Sequence, residues 1–463
     1  MVFSSTTFLF LFLPFVLLVY YNPVWRGRTF RNIVLTCASI GFYAWGEPAF
    51  VFVMLFSIIL NWFMALRIAK AKGTGRKKVY LVLNLIYNVG LLFVFKYLSF
   101  IVDNFALLLK RDNWSVKIAL PIGISFFTFQ ILSYIIDVYR GKVAVQKNLY
   151  KVALYITLFP QLIAGPIVRY SAIADAIDHR KESWENVENG LFRFVYGLAK
   201  KVLMANYMAV LADNVFAMQS RTLAIAWIGA IAYTFQIYFD FSGYSDMAIG
   251  LGQMFGFYFG ENFNYPYVAA SVTEFWRRWH ISLSSWFKDY VYIPLGGNRV
   301  GKNRWILNLF IVWALTGIWH GANWTFLVWG FLYFAFRLLE VRFPKVKELG
   351  AVSHIYTLLV VVIAWVIFRS ESLPQAGKYI GQMFGIGVTG AADSLAVDYI
   401  RNSWLFFLAG GILSTPVWRF VLSKIKKEAA KQICESVVLL LLFVLSILTC
   451  IKSTYNPFIY FNF

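Results

Sequence analysis

Charge is scarce in this chain. Asp, Glu, Lys and Arg together make up 14% of its 463 residues, where soluble domains carry about 25%. Acids are the scarcer sign, 22 against 43 bases, which leaves a formal charge of +21. Cysteine is nearly absent. Cys37, Cys434 and Cys450 lie in or beside apolar stretches with no metal-ligand spacing, so neither a disulfide framework nor a cysteine metal site is expected. There is no GxSxG motif and no Ser-His-Asp order, which argues against a self-contained serine hydrolase. No repeat, low-complexity linker or soluble domain interrupts the pattern. The N-terminus lacks the basic region and small-residue cleavage site of a signal peptide, so residues 8–21 are expected to be a first membrane helix.

What the chain has is apolar sequence. It is 60% hydrophobic and 19% aromatic, with a mean hydropathy of +0.64. These values describe an all-α polytopic membrane protein. Its bases sit in short loops, first at Arg26, Arg28 and Arg31, then at Arg67, Lys70, Lys72, Arg76, Lys77 and Lys78. The positive-inside rule accounts for them, so no nucleic-acid partner is expected. Apolar segments at residues 33–45, 48–66, 79–95, 118–138, 305–319, 324–339, 355–368, 404–422 and 436–451 follow one another. At about twenty residues per crossing, roughly eleven to thirteen spans are expected. Lys424, Lys426, Lys427 and Lys431 mark a further cytoplasmic loop. Loop parity then places both termini outside, with residues 455–463 as an external tail. Between residues 150 and 260 the parity is unclear. Pro160, Gly165 and Pro166 suggest broken or re-entrant helices there, and Lys200-Lys201 suggests an interfacial one. The cluster Asp240, Ser242, Tyr244, Ser245 and Asp246 reads as a helix break with Ser and Asp capping the next helix, or else as a cavity lining.

Residues 273–330 stand apart. Phe275, Trp279, Leu283, Trp286 and Tyr290 recur at helical spacing and make one aromatic face. Glu274 and Arg278 can pair at i,i+4. Such a helix is expected at a membrane interface, its aromatic stripe serving as an anchor, with His280 an interfacial residue. His320 is different, because it lies in the short break between the apolar runs 305–319 and 324–339. Ionisable groups at membrane depth are costly and default to a functional reading, although a structural histidine at a helix end is an even alternative.

The segment TEFWRRWHISLSSWFKDYVYIPLGGNR (273–299), followed by GIWHGANWTFLVWG (317–330), resembles the membrane-bound O-acyltransferase (MBOAT) family, in its bacterial alginate O-acetyltransferase-like branch. The resemblance also covers MVFSSTTFLFLFLP at the start, LPIGISFFTFQILSYIIDVYRG (120–141), FPQLIAGPIVRY (159–170) and YFDFSGYSDMAIGLG (238–252). It implies one membrane domain over residues 1–463, with re-entrant and in-plane helices beside the spans. It implies His320 as the essential residue and His280 as the second motif position. Imidazole suits the role, since a neutral histidine in a dry cavity can take the proton of an attacking hydroxyl. Asn323 is a candidate to hydrogen-bond His320 or a developing oxyanion.

The donor implied is a cytoplasmic acyl thioester, acetyl-CoA or another one, used as a substrate. No tightly bound cofactor and no metal is implied. Arg277, Arg278, Lys288 and Arg299 are candidate contacts for its phosphates, or anchors to membrane lipids. The acceptor implied is an extracytoplasmic polysaccharide, or a partner acetyltransferase that carries the group onward, at a bacterial inner membrane. Three other readings remain. They are transport or flipping of a lipid-linked sugar or acyl carrier, D-alanyl transfer to teichoic acid, and a non-catalytic assembly role.

Overall fold

The structure is a computed structural model that describes residues 1–111, 114–424, 427–452, Tyr455 and Ile459. Lys426 and most of the tail expected at 455–463 lie outside the described residues. The described chain is all-helical, with no strand. It forms two compact units, residues 1–194 with 245–260 and residues 195–244 with 261–463.

Seven helices among the described residues are long and apolar enough to cross a membrane: Phe50–Lys70, Thr74–Leu108, Trp184–Phe216, Leu223–Met254, Trp324–Arg342, Ala351–Arg369 and Ala429–Lys452. At 1.5 Å per residue each reaches across the roughly 30 Å hydrocarbon layer. Seven is fewer than the expected eleven to thirteen. Arg28–Gly46, Lys302–His320 and Ser394–Leu413 are of similar length but are not in this set. The expected segment at 118–138 forms a helix only from Ile124 to Tyr139. Pro121 removes a backbone donor. Gly123 then adopts φ 76°, and a Cβ there would meet the carbonyl oxygen of Leu162 at 3.0 Å. The interruptions expected around residues 160–166 are present, as the short helices Leu149–Thr157, Phe159–Leu162 and Tyr170–His179.

In the first unit, three asparagines join two antiparallel helices. Asn61 Oδ1 accepts from Asn84 Nδ2 at 2.6 Å and from Asn88 Nδ2 at 2.8 Å, and all three residues are buried. The polar cluster at 240–246 is not a helix break. Leu223–Met254 runs through it without interruption, and the acids are held by ion pairs instead. Asp240 Oδ1 lies 2.7 Å from Lys201 Nζ, with both side chains buried. Asp246 Oδ1 lies 2.6 Å from Arg193 Nη2. Lys201 is therefore not an interfacial lysine. It sits in a π-helical turn, Lys200–Ala205, which re-aims side chains within a longer helix.

Replacing Asn61 with Ala removes the acceptor that Asn84 and Asn88 of the neighbouring helix share. The expected result is a loss of about 1–2 kcal/mol, read as a lower melting midpoint of the purified protein, with acyl transfer by the remaining folded fraction unchanged.

Candidate functional site

The aromatic stripe at 275–290 is not one helix. Val272–Arg278 and Ile281–Phe287 are separate, and between them His280 takes a left-handed conformation, φ 44° and ψ 54°. Left-handed backbone is unfavourable for a residue with a Cβ, so the surroundings must impose it. They do so through Asn262. The backbone N–H of Ile281 donates to the Asn262 carbonyl at 3.0 Å. Asn262 Oδ1 accepts from Ser282 N at 3.2 Å and from Ser282 Oγ at 2.9 Å. His280 Nδ1 lies 3.1 Å from the same oxygen. A backbone amide can only donate, so that side-chain atom is the oxygen, and His280 must be protonated at Nδ1 to bond to it. The lone pair is then on Nε2, which is buried and has no hydrogen-bond partner among the described residues.

The expectation of an interfacial His280 is therefore wrong: the residue is 0% exposed. Its neighbours in sequence are charged, but its neighbours in space are rings. Phe241 meets it edge-on at 4.7 Å and Trp319 lies at 5.9 Å. Burial disfavours the imidazolium and lowers its pKa from 6.5 to about 3. The stripe itself is core rather than membrane anchor. Phe275, Trp279, Leu283, Trp286 and Tyr290 are all buried. Trp279 packs on Trp365 at 4.9 Å, and Trp276 on Tyr333 at 5.0 Å.

The start of the Val272–Arg278 helix is fixed twice. Ser271 Oγ accepts from Glu274 N at 3.0 Å, and Glu274 reaches back to Ala270 N at 2.9 Å, an S-x-x-E arrangement close to a capping box. The buried carboxylate of Glu340, from the Trp324–Arg342 helix, accepts from Val272 N at 2.5 Å and Thr273 N at 3.1 Å. A carboxylate at a helix N-terminus is doubly favourable, as acceptor and as counter-charge to the helix dipole.

His320 is the last residue of the Lys302–His320 helix and is 5% exposed. Its ring is held by Trp319 and Trp329, each at 4.9 Å, and by Phe368 at 5.1 Å. Trp319 thus touches both imidazoles. The helix carrying His320 packs directly on Trp324–Arg342. A Cβ on Gly317 would stand 2.5 Å from the Phe326 carbonyl oxygen, and one on Gly330 2.6 Å from that of Trp313. Small residues permit this close approach of backbones.

The remaining candidates are dispersed. Asn323 does not reach His320. Its Oδ1 caps the next helix through Thr325 N at 3.1 Å, and its Nδ2 donates to the Glu371 carbonyl at 2.9 Å. Arg278 is engaged by Glu274 at 2.8 Å, as its spacing suggested, and by the Asn264 carbonyl at 3.1 Å. Arg277 and Arg299 are exposed. No three His, Cys, Asp or Glu side chains converge as a metal site among the described residues. Asn262, Ser282, Trp329, Phe368 and Glu340 were not legible as site residues. Folding brings the first four to the histidines and Glu340 to the start of the Val272–Arg278 helix, and no local spacing marks them.

Residues 38–368 match the membrane-bound O-acyltransferase family. The chain belongs to that family. It is a multi-pass membrane acyltransferase. It is 39% identical to the "Probable alginate O-acetylase AlgI" of Pseudomonas putida, over 100% of both chains, and 45% identical to that of Pseudomonas aeruginosa, over 84% of this chain and 75% of the relative. It is 36% identical to the peptidoglycan O-acetyltransferase of Helicobacter pylori, over 83% of this chain and 80% of the relative. The early resemblance drawn from residues 273–330 is thereby borne out.

Two outcomes test the site. Gly317→Ala should force the two helices apart at a cost of about 1–3 kcal/mol and lower the transfer rate about 100-fold through misplacement of His320. An unchanged rate would show that the close approach does not position the histidine. The second concerns pH. The folded state resists protonation of His280 and the unfolded chain does not, so stability present above 6.5 is lost as pH falls toward 3. The melting midpoint of wild type should drop between about pH 7 and about pH 5, and His280→Gln should lose part of that dependence.

Proposed function

We propose that this membrane-bound O-acyltransferase moves an acetyl group from acetyl-CoA, met on the cytoplasmic face, to hydroxyls of an extracytoplasmic polysaccharide or to a partner acetyltransferase. The observation that carries the reading is that His280 and His320 both pack against Trp319, inside an aromatic core. Water is kept from such a site, and a neutral imidazole is the stable form there. The names of the alginate and peptidoglycan O-acetylating relatives support acetyl as the acyl group and a polysaccharide as acceptor.

In this reading His320 takes the proton of the acceptor hydroxyl as its oxygen attacks the thioester carbonyl, and the thiolate leaves. The hydroxyl becomes nucleophilic only as the proton departs. His280 is held in the Nδ1–H tautomer and presents Nε2 as an acceptor, so it orients either the acceptor hydroxyl or the donor. Arg277 and Arg299 are exposed cations suited to the donor's phosphates, or to lipid headgroups. The chain works as one catalytic domain of the inner membrane, with about eleven to thirteen crossings and both termini outside. No tightly bound cofactor takes part. D-alanyl transfer has weaker support, because the teichoic acid D-alanyltransferase of Bacillus subtilis is 28% identical over 53% of this chain.

The test uses purified protein in nanodiscs with radiolabelled acetyl-CoA and added acceptor. His320→Ala should keep its fold, by gel filtration and melting, and lose transfer by about 100- to 10,000-fold. Equal turnover in wild type and His320→Ala would remove this histidine from the mechanism.

A further inference from the structure

The bend at His280 is held by backbone as well as by side chains. Residues 262–264 run beside residues 278–281. The Asn264 N–H donates to the Arg278 carbonyl at 2.9 Å, and the Ile281 N–H to the Asn262 carbonyl at 3.0 Å. The Phe263 ring meets Trp279 edge-on at 5.0 Å and Phe241 at 4.9 Å. None of this support comes from the Asn262 side chain. What that side chain supplies is one oxygen for three donors, the amide and hydroxyl of Ser282 and the Nδ1–H of His280. Asn262 is 0% exposed, and its Nδ2 is buried with no hydrogen-bond partner among the described residues. The oxygen is therefore the working end of the carboxamide.

A neutral imidazole carries one proton on two nitrogens, and the group bonded to one nitrogen decides which is protonated. Asn262 Oδ1 can only accept, so it fixes the proton on Nδ1 and the lone pair on Nε2. The side chains against the ring are Asn262, Ser282, Phe241 and Trp319. None of them carries a charge, so nothing beside the ring favours the imidazolium. Nε2 is buried, and no described residue donates to it. A buried acceptor without a donor is costly, so a bound molecule gains by bringing a proton there. An acyl thioester group has a carbonyl oxygen and a sulfur, and no proton to give. The proton of the reacting hydroxyl goes to His320 in the acetyl-transfer reading, so that one is not available either. A polysaccharide has other hydroxyls beside it on the same sugar ring.

We infer that His280 Nε2 receives a hydrogen bond from an acceptor hydroxyl next to the one that reacts, and that Asn262 is the positioning residue that fixes the tautomer for it. The acceptor class is then a sugar with neighbouring hydroxyls rather than an isolated alcohol. His280 places the sugar and His320 takes the proton. Asn262 touches no substrate and acts only through the imidazole. The hydroxyl assignment rests on the acetyl-transfer reading, whereas the tautomer does not.

Two readouts on the full chain in nanodiscs test this. The first is nitrogen NMR of histidine-labelled protein, with His280→Phe identifying the signal. Wild type should carry a proton on Nδ1 and none on Nε2. Asn262→Asp keeps an oxygen in place and should keep that proton. Ser282→Ala removes one hydrogen bond to the same oxygen, so it should lower the melting midpoint and leave the proton on Nδ1. Ser282→Ala combined with Asn262→Leu should let the proton move to Nε2. A proton on Nε2 in wild type, or one fixed on Nδ1 in the double variant, overturns the role of Asn262. The second readout is transfer from radiolabelled acetyl-CoA to an alginate oligosaccharide. His280→Phe should raise the KM for the oligosaccharide about tenfold and leave that for acetyl-CoA unchanged. The double variant should raise the oligosaccharide KM several-fold beyond Ser282→Ala alone, a split that a purely structural role does not give. A rise in the acetyl-CoA KM instead would assign Nε2 to an amide N–H of the donor, and a fall in kcat as deep as that of His320→Ala would make His280 a second base. Either result overturns the hydroxyl assignment. Absence of transfer in wild type counts against the acetyl-transfer reading and the hydroxyl with it, while a fixed Nδ1 proton in the same sample still upholds Asn262.

Discussion

A polar group that this chain takes into its apolar interior finds its partner, where it has one, in another group of the same protein, because lipid offers no hydrogen bonds. That constraint explains pairings separated by long stretches of sequence. Asn61 answers Asn84 and Asn88. Lys201 answers Asp240, and Arg180 answers Asn32 and Tyr20. Glu340 answers the backbone amides at the start of the Val272–Arg278 helix. Each fixes one helix against another at a defined register, which dispersion between aliphatic side chains cannot do.

The same constraint shapes the histidine site. His280 interrupts what would otherwise be a continuous amphipathic helix, and its left-handed backbone is unfavourable by itself. Asn262 offsets that cost with one carboxamide oxygen that gathers the amide and hydroxyl of Ser282 and the imidazole of His280. The break turns the ring inward instead of leaving it on a surface face. A tautomer follows from the same oxygen, and with it the position of the lone pair. Aromatic rings pack against both histidines. Trp319, Trp329 and Phe368 enclose His320, and a ring cage of this kind excludes water without supplying charge.

Position along the chain says little about which charges matter. Arg278 has the more suggestive neighbourhood, yet its guanidinium is engaged by Glu274 and a carbonyl. Arg28 and Arg31 read as ordinary cytoplasmic-loop bases, yet they share one acid with the buried Arg180. What separates the two cases is the ratio of guanidiniums to carboxylates within reach, and only the folded chain reveals it.

The sequence by itself determined the class of protein, the family and the motif histidines. Long apolar runs, scarce acids and several ordered motifs carry those properties locally, so no folding is needed to see them. It determined the i,i+4 pair of Glu274 and Arg278 and the end of a helix at His320 for the same reason. Only tertiary structure decided that the aromatic stripe at 275–290 is core, that the helix breaks at His280, that residues 240–246 remain helical, and that Asn323 caps a helix rather than serving His320. In each instance periodicity is satisfied equally well by lipid and by protein as the apolar surroundings. The choice between them rests on partners such as Asn262, Trp329 and Lys201, which lie many residues away.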